Sequence, residues 1–287
     1  MIKIATIAIM ILSLFPGGVY AESPKGLTLA PLRSELNITP GISHEGTLKV
    51  TNTTNSDMII QLSAEAFGVI NQQYDYAFDA QSKLVDWVRF DKSNIKLSPS
   101  ASATVAYTLA VPVSAEPGGR YISLFASSDI ESDSSGINSR QRIGSLLYIA
   151  VAGDVTRSGS LLSLSSPIFT GGSNNWSMLI QNSGTVHFRS HYDVTLNNIF
   201  TKKEVVKSSD DSLILPGTVR SIMDQVPVPR WPGIYKITYD IGLGDTPTAN
   251  ETRYIVYIPT NLLIYFMTAL LLAGSVWLYS RRKAKLK

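Results

Sequence analysis

The chain has 287 residues, 44% of them hydrophobic and 16% charged, with no Cys, three His and a formal net charge of +3. That length suits more than one domain, and a charged share below the roughly 25% of soluble proteins points to membrane segments. The absence of Cys excludes disulfide scaffolds, thiolate zinc sites, iron–sulfur clusters and cysteine nucleophiles.

In chain order, Lys3 is followed by a mostly apolar run over residues 4–15, then by Pro16-Gly17-Gly18 and Val19-Tyr20-Ala21. One charge, an apolar run and a small-residue cleavage site make a secretory leader over 1–21. An uncleaved anchor is disfavoured, because a helix of that run rises only about 18 Å against a bilayer core of about 30 Å.

From 22 to 260 alternation replaces helical periodicity. Val, Ile, Thr and Tyr fill short runs at 26–32, 47–51, 58–66, 103–111, 120–127 and 145–152, and again at 161–166, 176–181, 191–196, 212–215, 219–226, 235–241 and 252–258. Gly, Pro, Asn, Asp and Ser separate them, so the runs read as strands of β-sandwiches with no interleaved helices. Two stretches break the pattern. Residues 68–86 are polar with Tyr74, Tyr76 and Phe78 interspersed and are expected to cover a sandwich edge, the other reading being a ligand platform. Residues 127–141 are Ser- and Asp-rich and are expected to be a solvated hairpin tip.

The section also repeats itself. Val50-Thr51-Asn52-Thr53, Leu97-Ser98-Pro99, Val111-Pro112 and Pro117-Gly118-Gly119-Arg120-Tyr121 are echoed by Ile180-Gln181-Asn182-Ser183, Leu215-Pro216-Gly217, Val228-Pro229 and Pro232-Gly233-Ile234-Tyr235. An Asn that caps the turn after its strand and a Pro-Gly turn before the next recur in the same order. The expected fold is therefore all-β: two tandem Ig-like β-sandwich domains at 22–155 and 156–259, plus a single C-terminal transmembrane helix.

That helix is expected at 260–280. Residues 262–279 carry no charge and would span about 27 Å, and Arg281, Arg282, Lys283, Lys285 and Lys287 follow in a basic tail over 281–287. All 22 acidic residues fall between 22 and 260. The 25 basic ones include Lys3 and those five, which leaves 19 and a net charge of −3 for the middle section. The basic tail places the C-terminus in the cytoplasm and residues 22–259 outside, a single-pass type I arrangement in the cell membrane. The same arithmetic argues against nucleic acid as a partner.

Motifs of catalysis are missing: there is no Gly-x-Ser-x-Gly elbow, no credible Ser-x-x-Lys and no His-Glu-x-x-His. His187 and His191 sit in a turn and strand, where their spacing puts them about 13 Å apart, too far for one ion; both are expected at the surface. Asp129–Asp133 and Asp210-Asp211 lack the ligand order of a calcium loop. The chain is expected to be no enzyme, with no catalytic or metal residues and no cofactor. Arg120, after a Gly-Gly turn, and Trp231 are the candidates for contact with a partner, although a turn-packing role suits Trp231 better. The Asn-x-Ser/Thr triplets at Asn37, Asn52, Asn175 and Asn250 would be glycan sites in a eukaryotic secretory route.

In this order the chain resembles the WxL-interacting proteins of the Gram-positive cell surface. The resemblance rests on residues 46–53, on Ile95-Lys96-Leu97-Ser98-Pro99 with Val111-Pro112, and on residues 117–121. It implies a non-catalytic, membrane-anchored surface protein of adhesion and peptidoglycan binding. Such a protein docks to cell-wall polymer through its first domain and to partner surface proteins through its second, and it is held in the lipid bilayer by one helix. No ligand-binding residue is named by it. The alternative is a membrane-tethered chaperone for surface or pilus-like subunits, acting by β-strand augmentation; tandem Ig-like domains also resemble periplasmic pilus chaperones.

Overall fold

The computed structural model describes residues 26–130, 139–227 and 229–284. The expected leader at 1–21, residues 131–138 of the Ser/Asp-rich stretch, Val228 of the repeat and residues 285–287 of the tail lie outside them. The first half runs β1 (Leu27–Ala30), β2 (Arg33–Ile38), β3 (Ser43–Asn52), β4 (Met58–Val69), β5 (Tyr76–Asp79), a 3-10 turn at Lys83–Trp87, β6 (Val88–Phe90), β7 (Asn94–Leu97), β8 (Ser102–Ala110), β9 (Gly118–Ile130) and β10 (Ser139–Val151). The second runs β11 (Gly159–Ser165), β12 (Phe169–Thr170), β13 (Asn174–Asn182), β14 (Phe188–Asn198), β15 (Glu204–Ile214), β16 (Val219–Val226), β17 (Gly233–Leu243) and β18 (Thr246–Tyr257). The helix α1 (Thr260–Ala284) follows.

The molecule is mostly β, of the immunoglobulin sandwich type. In the first half the sheet β1-β3-β8-β6 faces the sheet β2-β10-β9-β4, whose far edge carries β5 and β7. In the second, β11-β13-β16 faces β12-β18-β17-β14-β15. Alternation explains both cores. In β8, Val105, Tyr107 and Leu109 are buried and their neighbours are not. In β13, Trp176, Met178 and Ile180 turn inward. Leu48, Ile60, Ile122, Leu124, Leu147 and Ile149 complete the first core. In the second, Trp176 packs edge-on against Tyr192 and Tyr239, each 5.5 Å away between ring centroids.

The repeat has a structural counterpart. Each half begins with a strand that pairs antiparallel in one sheet and then crosses to the other. There the chain pairs in parallel with the last strand of its half, β2 with β10 and β12 with β18.

Two stretches differ from the sequence reading. Residues 68–86 are not an irregular loop: they hold the end of β4, β5 and the start of the 3-10 turn. The hairpin β9–β10 also runs further than alternation suggested, with Ser128, Asp129 and Ile130 paired to Gln141, Arg140 and Ser139.

Candidate functional site: an open strand edge beside the domain junction

The strand β10 is paired to β9 along its whole length, but β2 covers its outer side only from Leu146 onward. The Leu146 N–H donates to the Leu32 carbonyl at 2.9 Å, so the even-numbered residues of β10 turn their backbone groups outward. Over residues 141–145 no strand is paired to β10 on that side among the described residues. The backbone N–H and C=O of Arg142 and Gly144 therefore face the open edge. Gln141 reaches across the seam, where its side-chain oxygen accepts from the Leu27 N–H at 2.9 Å. Gly144 is required by close packing, since a Cβ there would fall 2.7 Å from Ser123 Oγ and 2.8 Å from Phe125 Cε1.

Open edges invite unwanted pairing, and proteins usually blunt them with charge. The edge of β15 carries Glu204, Lys207, Asp210 and Asp211, and that of β18 carries the ion pair of Arg253 with Glu251 at 2.8 Å. The edge at 141–145 has one charge, Arg142, and it is drawn away across the sheet. Its guanidinium bonds the Glu65 carboxylate and lies 3.4 Å from the Phe125 ring centroid.

Beside this edge the outer face of the sheet is an aromatic wall. Phe67 of β4 meets Tyr76 at 5.4 Å, Tyr148 at 5.4 Å and Tyr121 at 5.7 Å, and Phe78 meets Phe125 at 5.0 Å. Tyr76 and Phe78 keep 40% and 41% of their surface exposed, so the wall is only partly covered.

The wall ends at the junction of the two halves. Tyr74, in a left-handed backbone conformation (φ 68°), enters the second half. Its hydroxyl accepts from the Leu215 N–H at 2.8 Å and bonds Thr218 Oγ1 at 2.7 Å, and Arg220 lies 4.5 Å over its ring. Burial pushes the Tyr74 hydroxyl above its ordinary pKa. Nearby, Ser221 N–H donates to Gln72 O at 2.7 Å and Gly119 N–H to Thr185 O at 2.9 Å. Arg189 clamps Glu35 of β2 together with Asp211.

His187 is buried here, its Nδ1 3.3 Å from the Tyr121 hydroxyl and its ring packed on Tyr148. Burial lowers its pKa from 6.5 to about 4, with Arg157 and Arg189 acting the same way and Glu35 against them. A cavity of about 270 Å³ opens beside it, lined in part by Glu35, Arg157 and Asp245.

The sequence reading placed both histidines at the surface. That is wrong for His187, which the first half covers, and right for His191, whose side chain is 65% exposed. Tyr76 and Phe78, expected to cover a sandwich edge, lie instead over a sheet face, and Tyr74 crosses to the other half. Arg120 is occupied within its own turn, donating to Gly119 O at 2.9 Å and Glu116 O at 3.2 Å. Trp231 is not packed into its turn but 68% exposed, while its carbonyl accepts from the Tyr235 hydroxyl at 2.6 Å. No group of three or more His, Asp or Glu able to hold a metal ion occurs among the described residues.

No protein-family model and no curated protein matches the chain. Solved structures do. The class 5 fimbriae chaperone CfaA is 12% identical, covering 81% of this chain and 100% of its own, with a TM-score of 0.41. The chaperone–tip adhesin complex of CFA/I fimbriae biogenesis is 10% identical over 82% of this chain and 99% of the other, with a TM-score of 0.39. The CsuC–CsuE chaperone–tip adhesion subunit complex of Acinetobacter baumannii is 12% identical over 81% and 99%, with a TM-score of 0.38. At these identities the likeness concerns the fold alone. The resemblance to WxL-interacting proteins is corrected by the same findings: the similar structures are fimbrial chaperones and no family model supports it. Peptidoglycan binding and wall adhesion, which rested on that resemblance, fall with it.

Proposed function

We propose that the chain is a non-catalytic, membrane-tethered assembly factor that lends the open edge of β10 to an extended segment of a surface-structure subunit. One observation carries this reading: outward backbone groups at Arg142 and Gly144, without a strand partner among the described residues, stand beside a half-covered aromatic wall. In strand addition the ladder supplies affinity, and pockets for alternate side chains supply selectivity. The partner is a surface-assembly subunit, of the kind represented by the tip adhesins and pilins found with fimbrial chaperones. The tether is α1. Its window Thr260–Trp277 is long and apolar enough to cross a membrane, and none of it is buried against the sandwiches. With Arg281 beyond it, the type I orientation with the sandwiches outside the cell membrane follows from charge.

The test uses the full chain in lipid nanodiscs, panned against a library of extended peptides with alternating apolar residues. Arg142→Ala removes a side chain, whereas Arg142→Pro also deletes an outward N–H, which an edge strand tolerates without losing its inner ladder. A selected peptide is expected to bind the Ala variant nearly as the parent does and the Pro variant about tenfold more weakly. It should also slow hydrogen exchange at Gly144. Equal affinity for the two variants, or a library that yields no binder, would sink the reading.

A further inference from the structure

The end of the second sandwich from which α1 leaves has a surface that the β10 edge does not use. The sheet register gathers its parts. Ile234, second in β17, pairs with Val256 near the end of β18, and Tyr235 pairs with Asn198 at the end of β14. The Ile199 N–H donates to Ile234 O at 3.3 Å, and Val256 N–H to Ile168 O at 2.7 Å. The Ile258 N–H donates to Thr170 O at 3.0 Å and that of Thr260, the first residue of α1, to Gly171 O at 3.4 Å. With strands about 4.8 Å apart, the β14–β15 turn thus lies only some 10 Å sideways from the strand that feeds the helix.

This end exposes large apolar side chains. Phe200 is 76% exposed, Phe169 69%, Trp231 68% and Ile168 66%. Phe200 is held out by a built turn, not by fraying: the Asn198 side-chain oxygen accepts from the N–H groups of Phe200 at 2.9 Å and Thr201 at 3.0 Å. The Lys202 N–H closes the turn on Asn198 O at 2.8 Å. Among the segments 168–171, 199–204, 229–236 and 254–260, Lys202, Lys203, Arg230 and Lys236 are basic and Glu204 is the one acid. That positive end belongs to a section whose net charge is −3. Lys202, Lys236, Tyr254 and the neighbouring Asn197 and Asn198 line a cavity of about 430 Å³.

Aromatic side chains with amphipathic or apolar tips, flanked by Lys and Arg at the root of an apolar helix, match the chemistry of a bilayer's headgroup layer. We propose that this end is a membrane-contact face, seated on an anionic lipid surface with Phe200 and Trp231 in the headgroup layer and the four basic residues on lipid phosphates. The proposal rests on the reading of α1 as a spanning helix, which the sequence of that helix carries independently.

The test uses the full chain in nanodiscs of phosphatidylcholine with or without phosphatidylglycerol, containing lipids brominated near the headgroup end or near the tip of the acyl chain. Trp231 is followed in a Trp277→Phe background, against the same protein carrying Trp231→Phe as well. The expected result is Trp231-dependent quenching by shallow bromines, stronger with phosphatidylglycerol and roughly halved by Lys202→Glu with Lys203→Glu. Hydrogen exchange over 199–204 should slow on moving from detergent to discs. Trp277 in the parent, near the far end of the span, reports insertion of α1 through bromines at either depth. Trp277 quenched with Trp231 untouched overturns the face and leaves the span. Trp231 quenched without Trp277 keeps the face and removes the span, and no quenching at either position overturns both. Protection of 199–204 by an added protein in detergent, with no quenching in discs, gives the face to a protein partner and also overturns the proposal.

Discussion

Asn52 and Asn182 are fully buried, and each ties the end of its strand to backbone groups of neighbouring segments. Asn52 Nδ2 donates to Ser56 O at 2.7 Å and to the Leu97 and Ser98 carbonyls, while Asn182 Nδ2 serves Val186 O at 3.0 Å and Ile214 O at 2.8 Å. Their side-chain oxygens accept from Thr54 N and Gly184 N. Asn182→Ala removes hydrogen bonds from two carbonyls and one N–H, and is expected to cost about 2–4 kcal/mol in urea unfolding of the second sandwich; a loss below about 1 kcal/mol would contradict the assigned role. These asparagines were legible in the sequence, because a strand-ending Asn recurs at the same place in the repeat. His187 was not legible, since its burial comes from residues far away in the chain. With its folded pKa depressed to about 4 against 6.5 unfolded, the unfolded chain binds the extra proton between those values. Stability therefore falls as pH drops from about 6.5 towards 4, by up to about 3 kcal/mol. A His187→Gln variant should flatten that part of the pH–stability curve, and an unchanged slope would assign the acid loss to other groups.

Among the elements, the connection from β4 to β5 ties the two halves through the inserted Tyr74 ring and the Gln72 carbonyl, beside the Gly119–Thr185 hydrogen bond and the Arg189 clamp. A left-handed non-glycine backbone costs about 1–3 kcal/mol and persists only where its surroundings hold it; here Leu215, Thr218 and Arg220 do so. Tyr74→Phe leaves the Leu215 N–H without its acceptor and is expected to lose about 1–2 kcal/mol. Tyr74→Ala also removes the ring and should speed hydrogen exchange at least about tenfold in both 70–75 and 215–221, because opening becomes easier by more than about 1.4 kcal/mol. Faster exchange on one side only would mean that the ring packs but does not couple the halves. Strands with one wet and one dry face, such as β8, β13, β16 and β17, were plain in the alternation of their residues. The strand β2 was missed because Arg-Ser-Glu-Leu-Asn-Ile offers only Leu36 and Ile38 to the core and gains its place from a parallel partner more than a hundred residues away. The strand β5 was missed because all four of its residues are exposed.

At the scale of the molecule, the sandwich class was readable because thirteen short runs without interleaved helices leave few other solutions. The open edge of β10 was not readable, since it depends on where β2 stops, and that is a matter of register between distant segments. Charge was legible as a total and misleading as a map. A middle section of net −3 conceals a basic end at the helix root and an acidic strand, β15, that shields its own edge. The link between β18 and α1 has a mechanical consequence. Pro259 separates hydrogen bonds from Ile258 and Thr260 to the parallel segment 170–171, so no slack chain joins the sandwich to α1. A post without a hinge at its foot works as a ruler. The twelve residues of β18 alone measure about 40 Å, and the first sandwich, clamped above by Tyr74 and Arg189, stands further out. With α1 as the proposed tether, a copy would therefore offer its strand edge at one fixed height, selecting subunits by the depth at which they emerge as well as by the side chains they carry.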